Sequence, residues 1–262
     1  MAVSREVSFR RYERGRLIET GGHVVREGLV RLHVNGVEWA SMMATPQDLD
    51  ALALGFLTSE GIIAGPADVR RIVVCPSGAC VEVWLKDAGV QRPLQMTVTS
   101  GCGGGVTFAD LMAEREPLRS DLRVTVRQLG ALLLQLQQRQ DSRGYHTSAL
   151  AEGDSLLLTS EDVGRHNTLD KLYGRCLIDG IPTAGRILLT TGRVSSEMLN
   201  KAARMQTPVV ASRSSPTTLS IALAEAWNVT LVGYVRRDSL NVYAGLDRVL
   251  NESEEVGINA HT

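Results

Sequence analysis

The residue of this sequence best suited to covalent chemistry is Cys102, which lies in the stretch Ser100-Gly101-Cys102-Gly103-Gly104-Gly105. Small neighbours leave a thiol unhindered, and successive glycine N–H groups can form a concave anion site that favours the thiolate. Such a thiolate could attack a substrate or carry a sulfur atom. Glycine runs are also typical of flexible turns without chemistry, so the residues alone leave both interpretations open.

The other three cysteines are weaker candidates. Cys75 and Cys80 bracket a turn with a spacing wider than the tightest zinc knuckles use, so we expect no metal site there. Cys176 lies beside apolar residues in a helical segment, and we expect it in the core. Four cysteines are too few for a disulfide scaffold in a chain of 262 residues, so we expect free thiols.

Two histidines, His146 and His166, could act as an acid, a base or a metal ligand, or could serve as structural hydrogen-bond donors. Zinc deaminases use a His-x-Glu motif and a downstream Pro-Cys-x-x-Cys motif. Here Thr147-Ser148 follows His146, and Asn167-Thr168 follows His166. We therefore expect no zinc and no metal ligands.

An apolar segment begins at Leu231, and a polar loop follows it. The loop has the sequence Tyr234-Val235-Arg236-Arg237-Asp238-Ser239. Ligands of α/β sheets bind at the carboxyl ends of strands. Arg236 and Arg237 could hold a phosphate, Tyr234 offers a stacking face, and the last two residues can bond a base or sugar. A solvated turn is the alternative.

Two further strand ends repeat this arrangement. Thr191-Gly192-Arg193 follows an apolar strand and leads into Ser195-Ser196-Glu197, which is typical of a helix start whose free N–H groups can receive an anion. Arg213 follows the apolar segment Val209 to Ala211. Together the three strand ends favour an anionic, phosphate-bearing ligand.

The elements that must position these residues differ between the two halves of the chain. In the first half, the pattern predicts strands with a hairpin turn at Asn35-Gly36. A helix is predicted from Thr45-Pro46 to Gly61. Cys102 follows the last of three more predicted strands, at residues 71–75, 81–85 and 95–99. Helices are then predicted over Phe108 to Glu114 and Val124 to Gln138.

From Ser155 onward, short apolar strands alternate with helix-like segments, which is typical of an α/β layer. The strands are predicted at residues 156–158, 187–190, 209–211 and 231–235, and the helices at 167–176, 195–205 and 216–227. We predict an α/β chain (α+β overall), with an N-terminal mixed part at residues 1–122 that is mainly antiparallel β and an α/β domain at 123–262.

The overall charge and hydropathy exclude several classes of partner. A formal net charge of −1 gives no general attraction to nucleic acid or to an anionic membrane. The first residues lack the apolar region of a signal peptide, and no later apolar run is long enough to span a bilayer. We expect a cytoplasmic protein without a membrane or nucleic-acid partner.

Three segments occur in one order along the chain: Leu54-Gly55-Phe56-Leu57-Thr58-Ser59-Glu60-Gly61-Ile62-Ile63, Glu161-Asp162-Val163-Gly164-Arg165-His166-Asn167 with Asp170-Lys171, and Ser212-Arg213-Ser214-Ser215-Pro216-Thr217. Together they resemble the formate dehydrogenase accessory sulfurtransferase family, known as FdhD. The match extends from about residue 50 to Tyr243.

The resemblance implies that Cys102 accepts sulfur from a cysteine desulfurase as a persulfide and passes it to the molybdenum cofactor of formate dehydrogenase. It implies that the stretch Tyr234 to Ser239 binds bis-(molybdopterin guanine dinucleotide) as a substrate. It also implies a cytidine deaminase-like fold for the layered second half. Shared architecture does not by itself imply deamination.

The sequence departs from the family pattern at two places. Many members have a Cys-x-x-Cys pair, whereas Gly105 stands here where the second thiol would be. Sulfur must therefore leave Cys102 by attack from the acceptor or an outside reductant. The Gly-Gly-x-His segment of the family is replaced by Arg143-Gly144-Tyr145-His146, which leaves the role of His146 open.

We therefore expect a sulfurtransferase. The alternative is a chaperone that binds and hands over the molybdenum cofactor without covalent sulfur chemistry. A zinc nucleoside deaminase is a third, weaker interpretation. The sequence is compatible with a homodimer but does not establish the oligomeric state.

Overall fold

The computed structural model describes residues 4–94, 97–98, 106–108, 115–139 and 144–250. Within these ranges the chain forms sixteen strands and five α-helices. The strands are β1 (Ser4–Glu13), β2 (Arg16–Val25), β3 (Gly28–Val34), β4 (Val37–Ala44), β5 (Val69–Val74), β6 (Cys80–Leu85), β7 (Thr97–Val98), β8 (Val106–Thr107), β9 (Val124–Thr125), β10 (His146–Glu152), β11 (Ser155–Asp162), β12 (Ile187–Thr190), β13 (Val209–Ser212), β14 (Thr230–Gly233), β15 (Asn241–Ala244) and β16 (Val249–Leu250). The helices are α1 (Leu49–Ser59), α2 (Val126–Gln138), α3 (Arg165–Asp179), α4 (Ser196–Arg204) and α5 (Thr218–Ala226).

The first half of the chain is built on antiparallel hairpins. β1 and β2 form a two-stranded ribbon, and β3 to β6 form a sheet in the order β4-β3-β6-β5. Only the central pair of that sheet, β3 and β6, is parallel. Asn35 and Gly36 connect β3 to β4 with φ of 50° and 81°, as a type I′ turn requires. The predicted hairpin and the mainly antiparallel character of this part are confirmed.

Helix α1 lies between this sheet and the second half of the chain. On one side Leu52 joins Leu32 of β3 in a shared apolar core. On the other side α1 crosses α3 where both helices carry glycine. A Cβ atom at Gly55 would lie 1.8 Å from the carbonyl oxygen of Asp170, and one at Gly174 would lie 1.9 Å from that of Ala51. The two glycines therefore permit a contact between backbones that any larger residue would block.

The start of α1 differs from the prediction. The helix begins at Leu49 rather than near Thr45, because Asp48 adopts a left-handed φ of 50° and the backbone of Thr45 is bonded to other parts of the chain. Its end agrees better, since α1 ends at Ser59 and Gly61 follows with φ 72°. The helix predicted over Phe108 to Glu114 lies outside the described residues except for Phe108, which is in neither helix nor strand.

The second half is a three-layer α/β structure. Its six-stranded sheet has the order β11-β10-β12-β13-β14-β15, and β12, β13 and β14 are parallel neighbours. Adjacent residues of a strand point to opposite faces. Leu188 accordingly packs with α3, α4 and α5, whereas Leu189 packs with α2 on the other face. The α/β layer is confirmed, while its likeness to cytidine deaminase and the division at residues 122 and 123 stay predictions.

Among the helices in the described ranges, none is both long and apolar enough to cross a membrane.

Candidate functional site

Cys102 itself lies outside the described residues, but the strands before and after it are described. β7 and β8 pair antiparallel, with Thr97 opposite Thr107 and Val98 opposite Val106. We call these four residues the β7–β8 stem. In the sequence, Cys102 stands midway between the two strands of this stem.

Glu60 forms hydrogen bonds with the last residue of β8 and with the residue after it. Its Oε2 accepts hydrogen bonds from the Thr107 hydroxyl at 2.8 Å and from the Phe108 backbone N–H at 2.6 Å. The Phe108 ring makes edge contacts with Trp39 and Phe56, with centroids 6.5 and 6.0 Å apart. A buried carboxylate and two aromatic rings therefore fix the point where the chain leaves β8.

The expectation of free thiols was wrong for Cys75 and Cys80, which form a disulfide. These residues face each other across the turn between β5 and β6, where the Cys75 N–H donates to the Cys80 carbonyl and Gly78 turns the chain with φ 68°. The hairpin brings their Cα atoms to 5.3 Å, within the range that a disulfide spans.

Cys176 is the remaining described cysteine, and its placement confirms the prediction of a core residue. Its side chain is fully buried among α3, α4 and α5. Burial raises the pKa of its thiol to about 11. At neutral pH this thiol is therefore protonated and is a poor nucleophile.

The loops that follow β12, β13 and β14 are hydrogen-bonded to one another at the carboxyl edge of the sheet. The Arg213 N–H donates to the Thr190 carbonyl at 3.1 Å, and the Val235 N–H donates to the Ser212 carbonyl at 3.0 Å. The Ser212 hydroxyl also donates to the Gly192 carbonyl at 2.7 Å. The three predicted strand ends therefore form one continuous rim.

The stretch Tyr234 to Ser239 lies at the end of this rim. β14 ends at Gly233, and Tyr234 adopts a left-handed φ of 53° with 45% of its side chain exposed. Val235 is fully buried in the core, so its side chain anchors the stretch and does not face a ligand. The residues from Arg236 to Ser239 are exposed and close a tight turn, in which the Arg236 N–H donates to the Ser239 carbonyl at 2.7 Å.

The two arginines of the stretch have different environments. Arg236 Nη1 donates to the carbonyls of Arg213 and Val235, both at 2.8 Å, so one side of its guanidinium group ties the loops together. Arg237 is exposed, and the ion pair that it makes within the described ranges is with the exposed Asp238 at 4.0 Å. Of the two, Arg237 therefore has the freer guanidinium group for a phosphate.

Arg237 and Asp238 form one wall of a cleft of about 560 Å³ whose other wall is helix α2. Arg127 and Leu134 of α2 line that wall. At the base, Gly130 faces the loop so closely that a Cβ atom would lie 2.5 Å from the Arg237 carbonyl oxygen. The cleft combines two arginines and one aspartate with apolar side chains of α2, and its arginines suit a nucleotide phosphate.

His166 lies at the start of α3, next to the start of α4. Its Nε2 is 3.1 Å from Ser195 Oγ and 3.2 Å from Glu197 Oε2. The Glu197 carboxylate favours a charged imidazole, but burial, with Arg165 and other cations, lowers the pKa of His166 to about 3. His166 is therefore neutral at pH 7 and is held between two polar neighbours.

His146 and Arg165 meet the rim at Gly192. A Cβ atom at Gly192 would lie 2.8 Å from Arg165 Cβ and 3.4 Å from His146 Nδ1. Burial, together with Arg165, lowers the pKa of His146. In the described ranges, no group of three or more His, Cys, Asp or Glu side chains is arranged to hold a metal ion.

Sequence reasoning assigned no individual role to three contributors to this region, namely Glu60, Arg127 and Glu197. Glu60 lies within the segment Leu54 to Ile63, which carried the family resemblance, so its place in that segment was an available signal. Arg127 and Glu197 belong to ordinary amphipathic helices, and only the packing of α2 and α4 reveals their neighbours.

Comparison with known proteins finds relatives that match nearly the whole chain. The model of the FdhD/NarQ family matches residues 25–250 of the chain. Sulfur carrier protein FdhD of Bacillus subtilis (strain 168) is 35% identical over 249 residues, which cover 91% of this chain and 95% of that protein. Sulfur carrier protein FdhD of Listeria innocua is 34% identical over 258 residues, which cover 94% and 98%.

A solved structure shows the same architecture. The crystal structure of a formate dehydrogenase accessory protein from Desulfotalea psychrophila superposes with a TM-score of 0.80 at 27% identity, over 95% of this chain and 100% of that one. The resemblance read from the sequence motifs is thereby confirmed. The chain belongs to the FdhD/NarQ family.

Proposed function

We propose that this protein is a sulfurtransferase that serves formate dehydrogenase, with Cys102 as its persulfide carrier. The observation that carries the proposal is the state of the other three cysteines. Cys75 and Cys80 are bonded to each other, and Cys176 is buried with a raised pKa. Cys102 is then the remaining thiol that can act as the nucleophile and carry sulfur. The names of the sulfur carrier relatives support the same role.

The loading step uses a cysteine desulfurase as the donor. The Cys102 thiolate attacks the terminal sulfur of the donor's persulfide, the sulfur–sulfur bond of the donor breaks, and the donor cysteine leaves as a thiolate. The transferred sulfur keeps its oxidation state, so no outside oxidant or reductant is needed. Glycine amides around Cys102 would favour the thiolate that begins the step.

The delivery step passes this sulfur to the molybdenum cofactor. Release as sulfide requires two electrons, and Gly105 stands where many relatives have a second cysteine. A neighbouring thiol of this chain therefore cannot supply them by forming a disulfide. An external dithiol supplies the electrons instead, and Cys102 returns to the thiol form.

The stretch Tyr234 to Ser239 binds the cofactor, bis-(molybdopterin guanine dinucleotide), as a substrate. Arg237 and Arg127, on opposite walls of the cleft, would contact phosphate oxygens. The exposed ring of Tyr234 would contact a base or pterin. Arg236 and the buried Val235 keep the loop in place.

Guanosine diphosphate is the probe for this binding step, because it carries the base and phosphates of the cofactor's nucleotide end. We expect Arg237→Ala and Arg127→Ala each to weaken its binding about tenfold in calorimetry, the effect of one charge-assisted phosphate contact. Arg16→Ala, in the exposed strand β2, is the matched control and leaves the affinity unchanged. Equal affinity in all four proteins would contradict the assignment of this cleft.

The alternative function is a chaperone that hands over the cofactor without covalent sulfur chemistry, and the nucleotide cleft would serve it equally well. The two functions differ in their need for Cys102. Formate dehydrogenase activity in a strain whose only copy carries Cys102→Ala separates them. Loss of activity supports the sulfurtransferase, and full activity would replace it with the chaperone.

A further inference from the structure

A cluster of buried charges joins helices α1, α3 and α4 next to the β7–β8 stem. The Lys201 ammonium group lies 2.7 Å from Asp170 Oδ1 and 3.6 Å from Glu60 Oε1. It also lies 5.4 Å from the centre of the Phe56 ring. Lys201, Asp170 and Glu60 are all buried, so water contributes little to their solvation.

The ion pair between Lys201 and Asp170 persists at neutral pH. Burial opposes the charge on Lys201, but the carboxylates of Asp170, Glu60 and Glu197 outweigh that effect and raise the pKa of Lys201 above its ordinary value. Burial raises the pKa of Asp170 to about 6, with Lys201 acting in the opposite direction. At pH 7 the contact between Lys201 and Asp170 is therefore an ion pair.

Stability alone does not account for such a cluster. Apolar residues of similar volume often make a core equally stable or more stable than buried ions do, because removing charges from water is costly. Directed contacts, however, fix a geometry that apolar packing leaves looser. The cluster therefore points to a role in orientation.

Glu60 connects the cluster to the stem with a single carboxylate. Its Oε1 faces Lys201 of α4, while its Oε2 accepts the hydrogen bonds from Thr107 and Phe108. Because both oxygens are engaged, the carboxylate cannot rotate without breaking contacts on one side. The end of β8 is thereby fixed relative to α4.

This connection ties the stem to helix α4, whose first turn lies beside the rim. Lys201 lies five residues after Ser196, the first residue of α4, which corresponds to about 8 Å along the helix axis. That end of α4 carries Ser195 and Glu197, which contact His166. Lys201, the residue of α4 that Glu60 faces, therefore lies between one and two helical turns from the corner where the rim begins.

We propose that Glu60 is a positioning residue, which through Lys201 and Asp170 fixes the β7–β8 stem, whose strands flank Cys102 in the sequence, relative to helix α4. This inference rests on the proposed function, since it assigns a purpose to the placement of the sulfur carrier. The placement matters for delivery to the cofactor. Loading from a separate donor protein depends on access to Cys102 and not on how the stem is fixed to α4.

The test removes one contact at a time from the stem. Thr107→Val deletes the hydroxyl that donates to Glu60 while keeping nearly the same volume, and Thr107→Ser restores the hydroxyl. Glu60→Gln keeps an oxygen acceptor but removes the charge that faces Lys201. Thr207→Val is the matched control, because Thr207 is equally buried and its hydroxyl donates to the Ala202 carbonyl at the far end of α4.

Two readouts separate positioning from stability. The first is the rate at which a cysteine desulfurase places ³⁵S on Cys102 of each purified protein. The second is the formate dehydrogenase activity that each ³⁵S-loaded protein restores to an extract lacking this protein. We expect Thr107→Val and Glu60→Gln to load within about twofold of wild type but to deliver about tenfold less, since a displacement of 1 Å can cost about a hundredfold. Thr107→Ser and Thr207→Val should deliver normally.

The outcomes distinguish the inference from the proposed function. If the wild-type protein accepts no ³⁵S on Cys102, the proposed function fails. If it does accept ³⁵S, and both Thr107→Val and Glu60→Gln deliver sulfur as well as wild type, only the positioning role is overturned. An equal loss of delivery in Thr207→Val would also overturn it, because that loss would reflect stability.

Discussion

The ammonium group of Lys171 and the carboxylate of Asp162 form a fully buried ion pair, with Nζ and Oδ2 2.6 Å apart. Both groups also bind the backbone of Thr45, which donates to Asp162 Oδ2 at 3.0 Å and accepts from Lys171 at 2.9 Å. Thr45 belongs to the connection between β4 and α1, whereas Lys171 and Asp162 belong to the second half. The pair therefore holds the two halves of the chain together.

Removing one member of this pair should be costly. Lys171→Met leaves the Asp162 carboxylate buried without its cation, and we expect the free energy of unfolding to fall by about 3–5 kcal/mol. Urea unfolding at pH 7 measures the change. The double variant Lys171→Met with Asp162→Asn should recover part of the loss, because it removes the uncompensated charge. A loss below about 1 kcal/mol in the single variant, as for an exposed pair, would contradict this account.

The contact between α2 and the rim predicts an unusual effect at Gly130. Alanine is normally the better helix former by about 1 kcal/mol, yet its Cβ here would lie 2.5 Å from the Arg237 carbonyl oxygen. We expect Gly130→Ala to displace the loop and to weaken guanosine diphosphate binding about tenfold, given the sensitivity of sites to displacements of 1 Å. Calorimetry measures the affinity.

Gly28→Ala is the control for this substitution, because a Cβ atom there meets nothing within 4 Å. It should leave nucleotide affinity unchanged. If Gly130→Ala binds the nucleotide as tightly as Gly28→Ala does, the loop from Arg236 to Asp238 is not part of the binding surface.

The burial of His166 predicts how stability depends on pH. Its pKa is lowered from 6.5 to about 3 in the folded protein, so the unfolded chain binds this proton more readily. Its contribution to stability is therefore complete above pH 6.5 and is lost as the pH falls toward 3. Between pH 6.5 and pH 5 the loss due to His166 should be about 2 kcal/mol.

His166→Gln isolates this contribution. Asp170 acts in the opposite direction, because its pKa is raised to about 6 and its protonation favours the folded state as the pH falls. Both proteins share Asp170, so the difference between their urea unfolding curves reports His166. We expect the variant to lose less stability than wild type below pH 6.5, and parallel pH profiles would show that folding does not lower the pKa of His166.

Four strands of the second half, β11 to β14, were predictable because each contains a continuous apolar run. β12 matches its predicted bounds, and β13 differs by one residue. β10 was missed because it contains Thr147 and Ser148, which resemble turn residues in the sequence. In the structure the Ser148 hydroxyl bonds Thr168 at 2.6 Å and Thr190 at 3.1 Å. Partners so distant in sequence cannot be inferred from local patterns.

The candidate site was predictable for those residues that directly follow an apolar strand. The stretch Tyr234 to Ser239 and the rim residues Arg193 and Arg213 follow apolar segments that a reader can recognise. The contacts among Glu60, Asp170 and Lys201 were not predictable, because these residues come from the end of α1, from α3 and from α4, which are far apart in the sequence. Only tertiary packing shows that they are buried together.

The central claim is that Cys102 carries sulfur, and the mass of the intact protein tests it most directly. The protein is incubated with a cysteine desulfurase and cysteine, without reductant, and its mass is compared with those of Cys102→Ala and Cys176→Ala treated alike. We expect one added sulfur atom on wild type and on Cys176→Ala, removable by a dithiol, and none on Cys102→Ala. No added sulfur on wild type, or sulfur that persists on Cys102→Ala, would contradict the account.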